Sequence, residues 1–218
     1  MEVETKTKRG RPKTMTDEAR RAMIVAEAEK LFVAQGFCGT GTGQIATRCK
    51  MSKRTMYRLF PGKLELFTAV VESHRMRMMD FGDGHDSLPL DQALAKIFMI
   101  DLDQHAYEVR ASFLRAANVD SLQCPELRNI LRRHGGEKNR ADLSAWLTRQ
   151  CRNGRLVIKD VNSASQMLMD MLTGSVIFDA LGGFSWGSPD ERVAHFRQCI
   201  DIFLKGALPD RPVSAPSH

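Results

Sequence analysis

The sequence predicts an all-α protein of about nine helices: a small N-terminal three-helix head on a larger helical body. Three observations lead there. Apolar residues recur at helical spacing in almost every segment that carries them, and no segment shows a convincing strand alternation. Helix-start and helix-stop residues punctuate the chain at short intervals. At 218 residues with 43% hydrophobic content, the chain suits a small domain joined to a larger one with a sizeable core.

Residues 1–15 are polar and basic without apolar periodicity, and are expected to form a disordered arm. Thr16 caps the first helix, Asp17 and Glu18 suit its positive end, and Ile24, Ala28, Leu31 and Phe32 form its stripe before Gly36 stops it. Two short helices follow, about Thr42–Arg48 and Lys53–Leu59. Pro61-Gly62 then breaks the chain before a longer helix, with Leu66, Phe67, Val70 and Val71 on its apolar side, running to about Asp80. No Ser/Gly/Pro-rich linker separates the halves, so the joint is placed at this helix: head 16–62, body 63–207, tail 208–218.

In the body, Leu90, Leu94, Ile97 and Phe98 mark one helix and residues 104–117 another. Pro125 opens a long segment that ends at Asn153-Gly154, with a kink or break expected at Gly135-Gly136. Asn162 or Ser163 is read as the cap of a helix that is apolar nearly all round and ends at Gly182-Gly183. Ser188-Pro189-Asp190-Glu191 starts the last helix, whose stripe is Val193, Phe196, Ile200, Phe203 and Leu204.

Charge is unevenly divided. Residues 1–63 hold 14 Lys and Arg against 6 Asp and Glu, while the remaining 155 hold 18 against 20. The excess positive charge therefore belongs to the head, and a local basic excess attracts polyanions, nucleic acid being the usual one. Five scattered cysteines, odd in number and without a CxxC pair, argue against a disulfide framework or structural zinc, and no metal or cofactor is expected. There is no nucleophile–base constellation and no phosphate-cradling Gly motif, so an enzyme is not expected. No apolar run approaches the ~20 residues that span a bilayer, and Met1 to Lys13 lacks the apolar stretch of a secretory signal; a soluble cytoplasmic protein is expected.

The most informative stretch is Thr40–Leu66. A helix-turn-helix needs a small residue where its second helix crosses close, apolar residues that pack the two together, and a tight turn. Ala46 is the small residue, Ile45, Met51 and Met56 pack, and Ser52 caps the second helix. That helix presents Lys53, Arg54, Thr55, Tyr57 and Arg58 with almost no acid among them, a composition suited to the negatively charged major groove.

At this point the chain resembles the tetracycline-repressor (TetR) family. Ile45-Ala46, the run Met51 to Phe60 with its Tyr-x-x-Phe, and Lys63-x-x-Leu66 resemble the family signature. Ala28-x-x-Leu31-Phe32-x-x-x-Gly36-Phe37 is similar to its first helix. The likeness is strong over residues 22–67. The chain departs from the pattern at Lys50, where the family's turn usually has Gly and where a left-handed backbone is expected. It also departs at Gly41, Gly43 and Leu59.

The resemblance implies a sequence-specific regulator that binds a palindromic double-stranded DNA operator as a homodimer and is released by a small-molecule effector. An activator, or an architectural protein that ignores sequence, are the alternatives. It implies that Thr40, Tyr57 and Lys63 touch phosphates, that Thr42 also lies at the DNA, that Lys53, Arg54 and Thr55 read bases, and that Arg58 does either. Tyr57 is alternatively a core aromatic of the head. Arg9 and Arg11, within an arm that resembles an AT-hook core, would enter the minor groove. The last two helices would form the dimer interface through Met171, Phe178, Phe196, Ile200 and Phe203. The effector pocket would draw on Phe98, Leu102, His105, Phe113, Trp146 and Met167.

Overall fold

The computed structural model describes residues 15–180 and 186–208, with side chains described at all of these except 175–180. Every regular element among them is helical: α1 (Asp17–Gly39), α2 (Thr42–Arg48), α3 (Lys53–Leu59), α4 (Lys63–Arg75), α5 (Leu90–Ile97) and α6 (Gln104–Gln123). α7 begins as Pro125–Ile130, passes through a π-helical turn at Leu131–Gly136 and continues as Glu137–Arg152. α8 (Val161–Ala180) and α9 (Pro189–Ala207) complete the set, with a short 3-10 turn at His85–Ser87. With α7 taken as one helix, the described residues hold the nine helices expected.

The caps are those of the sequence at three ends. Thr16, Ser52 and Ser188 accept the backbone N–H of Ala19, Thr55 and Glu191. At α8 the cap is instead Asp160, whose carboxylate accepts the N–H groups of Asn162 and Ser163 at 3.0 and 3.1 Å. Its Oδ1 accepts from both orphan donors, a role that neither Asn162 nor Ser163 can fill from inside the helix. α4 ends at Arg75 rather than near Asp80. Arg77 and Met78 bond back three residues, to His74 and Arg75, and this tightened turn leads Met79 into the body core. α6 is longer than expected, reaching Gln123. The stop expected at Gly182-Gly183 lies outside the described residues.

α1 continues past Gly36 by one turn, and Gly36 itself is left-handed at φ 72°. A side chain there would be strained and its Cβ would meet Asp120 Oδ1 at 3.0 Å. The close approach matters because Asp120, on α6, accepts the backbone N–H of Phe37 at 2.6 Å and so ties the head to the body.

Two apolar cores result. The first gathers Ile24, Leu31 and Phe32 of α1, Ile45 and Ala46 of α2, Met56 and Leu59 of α3, and Leu66 and Phe67 of α4. It extends to Phe113 and Ala117 of α6. The second fills the body with Leu94, Ile97, Leu143, Trp146, Leu168, Leu172, Phe196 and Ile200. The head therefore does not close its core alone: α4 and α6 finish it.

The α2–α3 turn is closed by Met51 N–H on the Ala46 carbonyl at 3.0 Å, and Lys50 takes the left-handed backbone expected of it, at φ 53°. A lysine there carries a conformational cost that glycine does not. Lys50→Gly is therefore expected to stabilise the protein by about 0.5–1 kcal/mol after the extra unfolded-state freedom of glycine is subtracted. Its thermal midpoint, read by circular dichroism, should rise by about 2–4 °C per kcal/mol; an unchanged or lower midpoint would remove the strain argument.

Candidate nucleic-acid interface and effector cavity

α3 packs through Met56 and Leu59 onto Ile45 and Ala46, so its remaining side chains face outward. Arg21 of α1 donates to the Leu59 carbonyl and its guanidinium stacks 4.3 Å from the Phe60 ring, fixing the far end of α3. Lys53 and Arg54 are exposed in the first turn, and Thr55 shares a 2.9 Å hydrogen bond with Ser52. The stem of Lys53 lies across α2 at Gly43, where an added Cβ would sit 3.1 Å from Lys53 Cε. That is a physical reason for glycine at 43: it lets Lys53 run along α2.

Tyr57 is 49% exposed and its hydroxyl is 3.0 Å from Thr42 Oγ1, so it is no core aromatic. Thr42 and Tyr57 thus form one polar pair bridging α2 and α3. Thr40 is a correction. It is only 1% exposed, and its hydroxyl donates inward toward the carbonyls of Leu31 and Gly36, so it closes the kinked end of α1 rather than offering a contact outside.

Lys63 opens α4, whose cap residue Gly62 supplies no side-chain acceptor, and its ammonium stands 4.2 Å over the Phe37 ring. Partial burial lowers its pKa. Free N–H groups at a helix start favour an anion, although the Glu65 carboxylate folds back over Gly62 and a phosphate arriving there would turn it aside.

Arg58 is held by a two-pronged ion pair with Asp17, at 2.6 and 2.8 Å. Hydrogen bonding to Arg58, joined by Arg20, holds the Asp17 carboxyl down to about 2. Elsewhere in the head Arg48 and Lys30 are paired with Glu27. Lys50, Lys53 and Arg54, by contrast, make no ion pair among the described residues, which leaves uncommitted cations at the turn and the start of α3. Asp17→Asn should release Arg58 and remove an opposing charge. DNA affinity at low salt is then expected to rise severalfold and the salt slope to steepen by about one counterion. Identical titrations of variant and parent would show that Arg58 has no part in binding. Arg9 and Arg11 lie outside the described residues.

A half-open cavity of about 380 Å³ lies in the body, walled by α4, α6, α7 and α8. Of the residues expected to line a pocket, only Phe113 lies on it. Phe98 borders a separate small void, Trp146 is packed into the body core, and Leu102 accepts Arg192 through its backbone carbonyl. His105 is exposed, and Met167, 60% exposed, points away from the core. Residue type alone did not find the wall: its apolar surface comes from Val71, Met78, Phe113, Leu114, Leu131 and Met169, and His74, Asn118, Arg128, Asn139 and Gln166 are set among them. The sequence offered one signal, Gly135-Gly136. Both residues line the cavity where α7 widens into its π turn, the kink expected there.

His74, on α4, sits where the head meets the cavity. It is buried, its ring centroid is 4.4 Å from that of Phe113, and its Nδ1 is 3.5 Å from Glu29 of α1, long for a hydrogen bond. Arg77 clamps the same carboxylate at 2.5 Å. Burial lowers the pKa of His74. A depressed histidine contributes stability that is full above its unfolded pKa, about 6.5, and is lost as pH falls through the folded value. The thermal midpoint is thus expected to decline as pH falls from 7 toward 5, less steeply in His74→Gln. Parallel profiles would assign the decline to other groups.

On the outer helices, Phe196 and Ile200 are buried in the protomer's own core and are corrections to the expected dimer interface. The period of α9 turns them inward, so the outward apolar residue is Ile202, 57% exposed, beside half-buried Phe203. On α8, Met167 and half-buried Met171 stand four residues apart on one face. The side chain of Phe178 lies outside the described set.

Comparison with known proteins agrees with this arrangement. Residues 24–70 match the model of bacterial regulatory proteins of the tetR family, and residues 92–206 that of the AefR-like transcriptional repressor C-terminal domain. The HTH-type transcriptional activator FasR of Mycolicibacterium smegmatis is 37% identical over 57 residues, covering 26% of this chain and 26% of that protein. The match thus spans about a quarter of the curated relative's length. Among solved structures, a TetR-family regulator from Mesorhizobium loti superposes with a TM-score of 0.66 at 21% identity over 89% of this chain and 100% of that one. One from Rhodococcus sp. reaches 0.72 at 14% over 87% and 100%. The flavonoid-responsive regulator FrrA gives 0.64 at 21% over 89% and 100%. At these identities the structural likeness speaks for the fold.

Proposed function

Because the chain belongs to the TetR family of bacterial transcriptional regulators, we propose that it is a repressor that binds a palindromic operator as a homodimer and is released by a small molecule. The backbone of DNA would meet Thr42, Tyr57 and Lys63, and base edges Lys53, Arg54 and Thr55. Arg is the natural partner of a guanine edge and Lys and Arg of phosphates.

One observation carries the regulatory part. α4 is at once the helix that follows α3 directly and a wall of the cavity, through Val71, His74 and Arg75. A molecule that fits the cavity only when α4 is displaced binds the DNA-incompetent arrangement better, and that difference in affinity is what shifts the population. Two heads are needed because one α3 reads only a few base pairs, and the exposed Met167 and Ile202 with Met171 and Phe203 are the surface proposed to join the protomers.

The test is sedimentation of the protein with a duplex carrying its preferred palindrome. Two chains per duplex are expected, with affinity falling at least tenfold when half a helical turn is inserted between the half-sites, since their heads are then on opposite faces. One chain per duplex, or indifference to the insertion, would overturn the dimeric reading.

A further inference from the structure

Arg110 is the least satisfied charge among the described residues. It sits on α6 and is only 7% exposed, yet its Nε and Nη1 have no hydrogen-bond partner. No described carboxylate faces it. Among the described residues the charged side chain that acts on it is another cation, Arg192, and its contact with the Tyr107 ring is long, at 5.8 Å. Arg192 is better placed, donating to the Leu102 carbonyl at 2.7 Å and stacking 3.9 Å over the same ring. Burial pushes the Arg110 guanidinium down to about 10, which leaves it charged at neutral pH. A buried cation without a counter-charge is strongly unfavourable unless something else supplies one.

The position of Arg110 says where that would come from. It borders a small void of about 10 Å³ with Met78, Phe98, Leu172 and Thr173, too small for more than about one water. Met78 and Thr173 are also on the wall of the 380 Å³ cavity, so they are the partition between the two spaces. Phe113 and Leu114, three and four residues beyond Arg110 on the same face of α6, line the larger space. Along that face the surroundings pass from apolar to a lone buried guanidinium. Met78 is flexible enough to swing aside. On the rest of the cavity wall Arg75 and Arg132 are already paired with Asp142 and Glu137, which leaves Arg110 as the buried guanidinium without a carboxylate.

We propose that the effector is an amphipathic organic carboxylate, its carboxylate reaching past Met78 to pair with Arg110 and its apolar body lying against Phe113 and Leu114. The proposal rests on the effector-released reading above and gives the effector its chemical class. An arginine fork matches a carboxylate with two parallel hydrogen bonds, which a neutral carboxamide does not reproduce.

The experiment is calorimetric titration of the full-length protein with matched pairs, decanoate against decanamide and 2-naphthoate against 2-naphthamide. Each pair is run on the parent chain, Arg110→Lys and Arg110→Met. At least one acid is expected to bind about tenfold or more tighter than its amide. The preference should persist, weakened, in Arg110→Lys and shrink to about twofold or less in Arg110→Met. Without ligand, Arg110→Met should melt no lower than the parent, because an uncompensated buried charge has been removed. If that variant does not fold, Arg110→Gln gives the same reading. Amides binding as well as acids, acid preference surviving in Arg110→Met or Arg110→Gln, or no acid binding would each overturn the proposal. Operator binding measured alongside separates the two readings. If amides bind and release DNA equally well, the effector mechanism stands and the carboxylate does not. If acids bind with the expected preference but leave operator affinity unchanged, the release mechanism fails instead.

Discussion

Arg54→Ala is expected to weaken operator binding by about 1–3 kcal/mol, roughly 5–150-fold, and to relax discrimination at one or two base pairs. The expectation follows from position and from the absence of competitors. Arg54 lies in the first turn of α3, is exposed, and forms no ion pair among the described residues, whereas Arg58 one turn on is occupied by Asp17. An uncommitted guanidinium loses little on binding, while a committed one must first give up its partner. Anisotropy titrations against the palindrome and a single-base variant series distinguish the roles. A base reader loses specificity along with affinity, and a phosphate contact loses affinity uniformly and lowers the salt slope by about one. Uniform loss would move Arg54 to the phosphates, and no loss would remove it from the interface.

The second large effect is expected far from any DNA contact. Phe67→Ala should lower the unfolding free energy by about 3–5 kcal/mol. Phe67 is buried on α4 and its ring meets Phe32 and Phe37 of α1 edge-on, with centroids 5.6 and 5.3 Å apart, and Phe113 of α6 at 6.3 Å. Truncation leaves a cavity at the place where head, α4 and body meet, and each lost aromatic pair adds about 0.5–1.5 kcal/mol to the lost burial. Against a typical total of about 5–15 kcal/mol, this is a large fraction. Urea denaturation should show an earlier midpoint. Operator affinity should fall too, because the heads lose their fixed attachment to the body. A loss of less than about 1 kcal/mol would mean that the aromatic cluster is not the joint between the halves.

The sequence made the head legible because its signals there are local. Ser52 caps α3, Ala46 and Ile45 carry the crossing, and Lys50 bears a left-handed backbone, all within a dozen residues. Thr40 was misread because its inward turn depends on Gly36, whose kink brings the carbonyls of Leu31 and Gly36 to its hydroxyl. In the body the period of each helix was readable but its neighbours were not. Phe196 and Ile200 lie on an apolar stripe whether that stripe faces the protomer's own core or another copy, and the packing of α9 against α5 and α8 decides between them. The cavity was least legible of all. Its lining comes from four helices, and its polar residues look in sequence like an ordinary solvated face. Arg110 in particular has no signal in a sequence window, since its burial is produced by Phe98, Leu172 and Phe196 arriving from elsewhere.

The most direct test of the account is anisotropy binding of the full-length protein to DNA from immediately upstream of its own gene, with an unrelated duplex as competitor at moderate salt. Preferential binding to the upstream duplex, lost on Tyr57→Ala and on Lys63→Ala, is the predicted result. Equal and salt-sensitive binding to both duplexes, unaffected by those substitutions, would contradict sequence-specific recognition by α3.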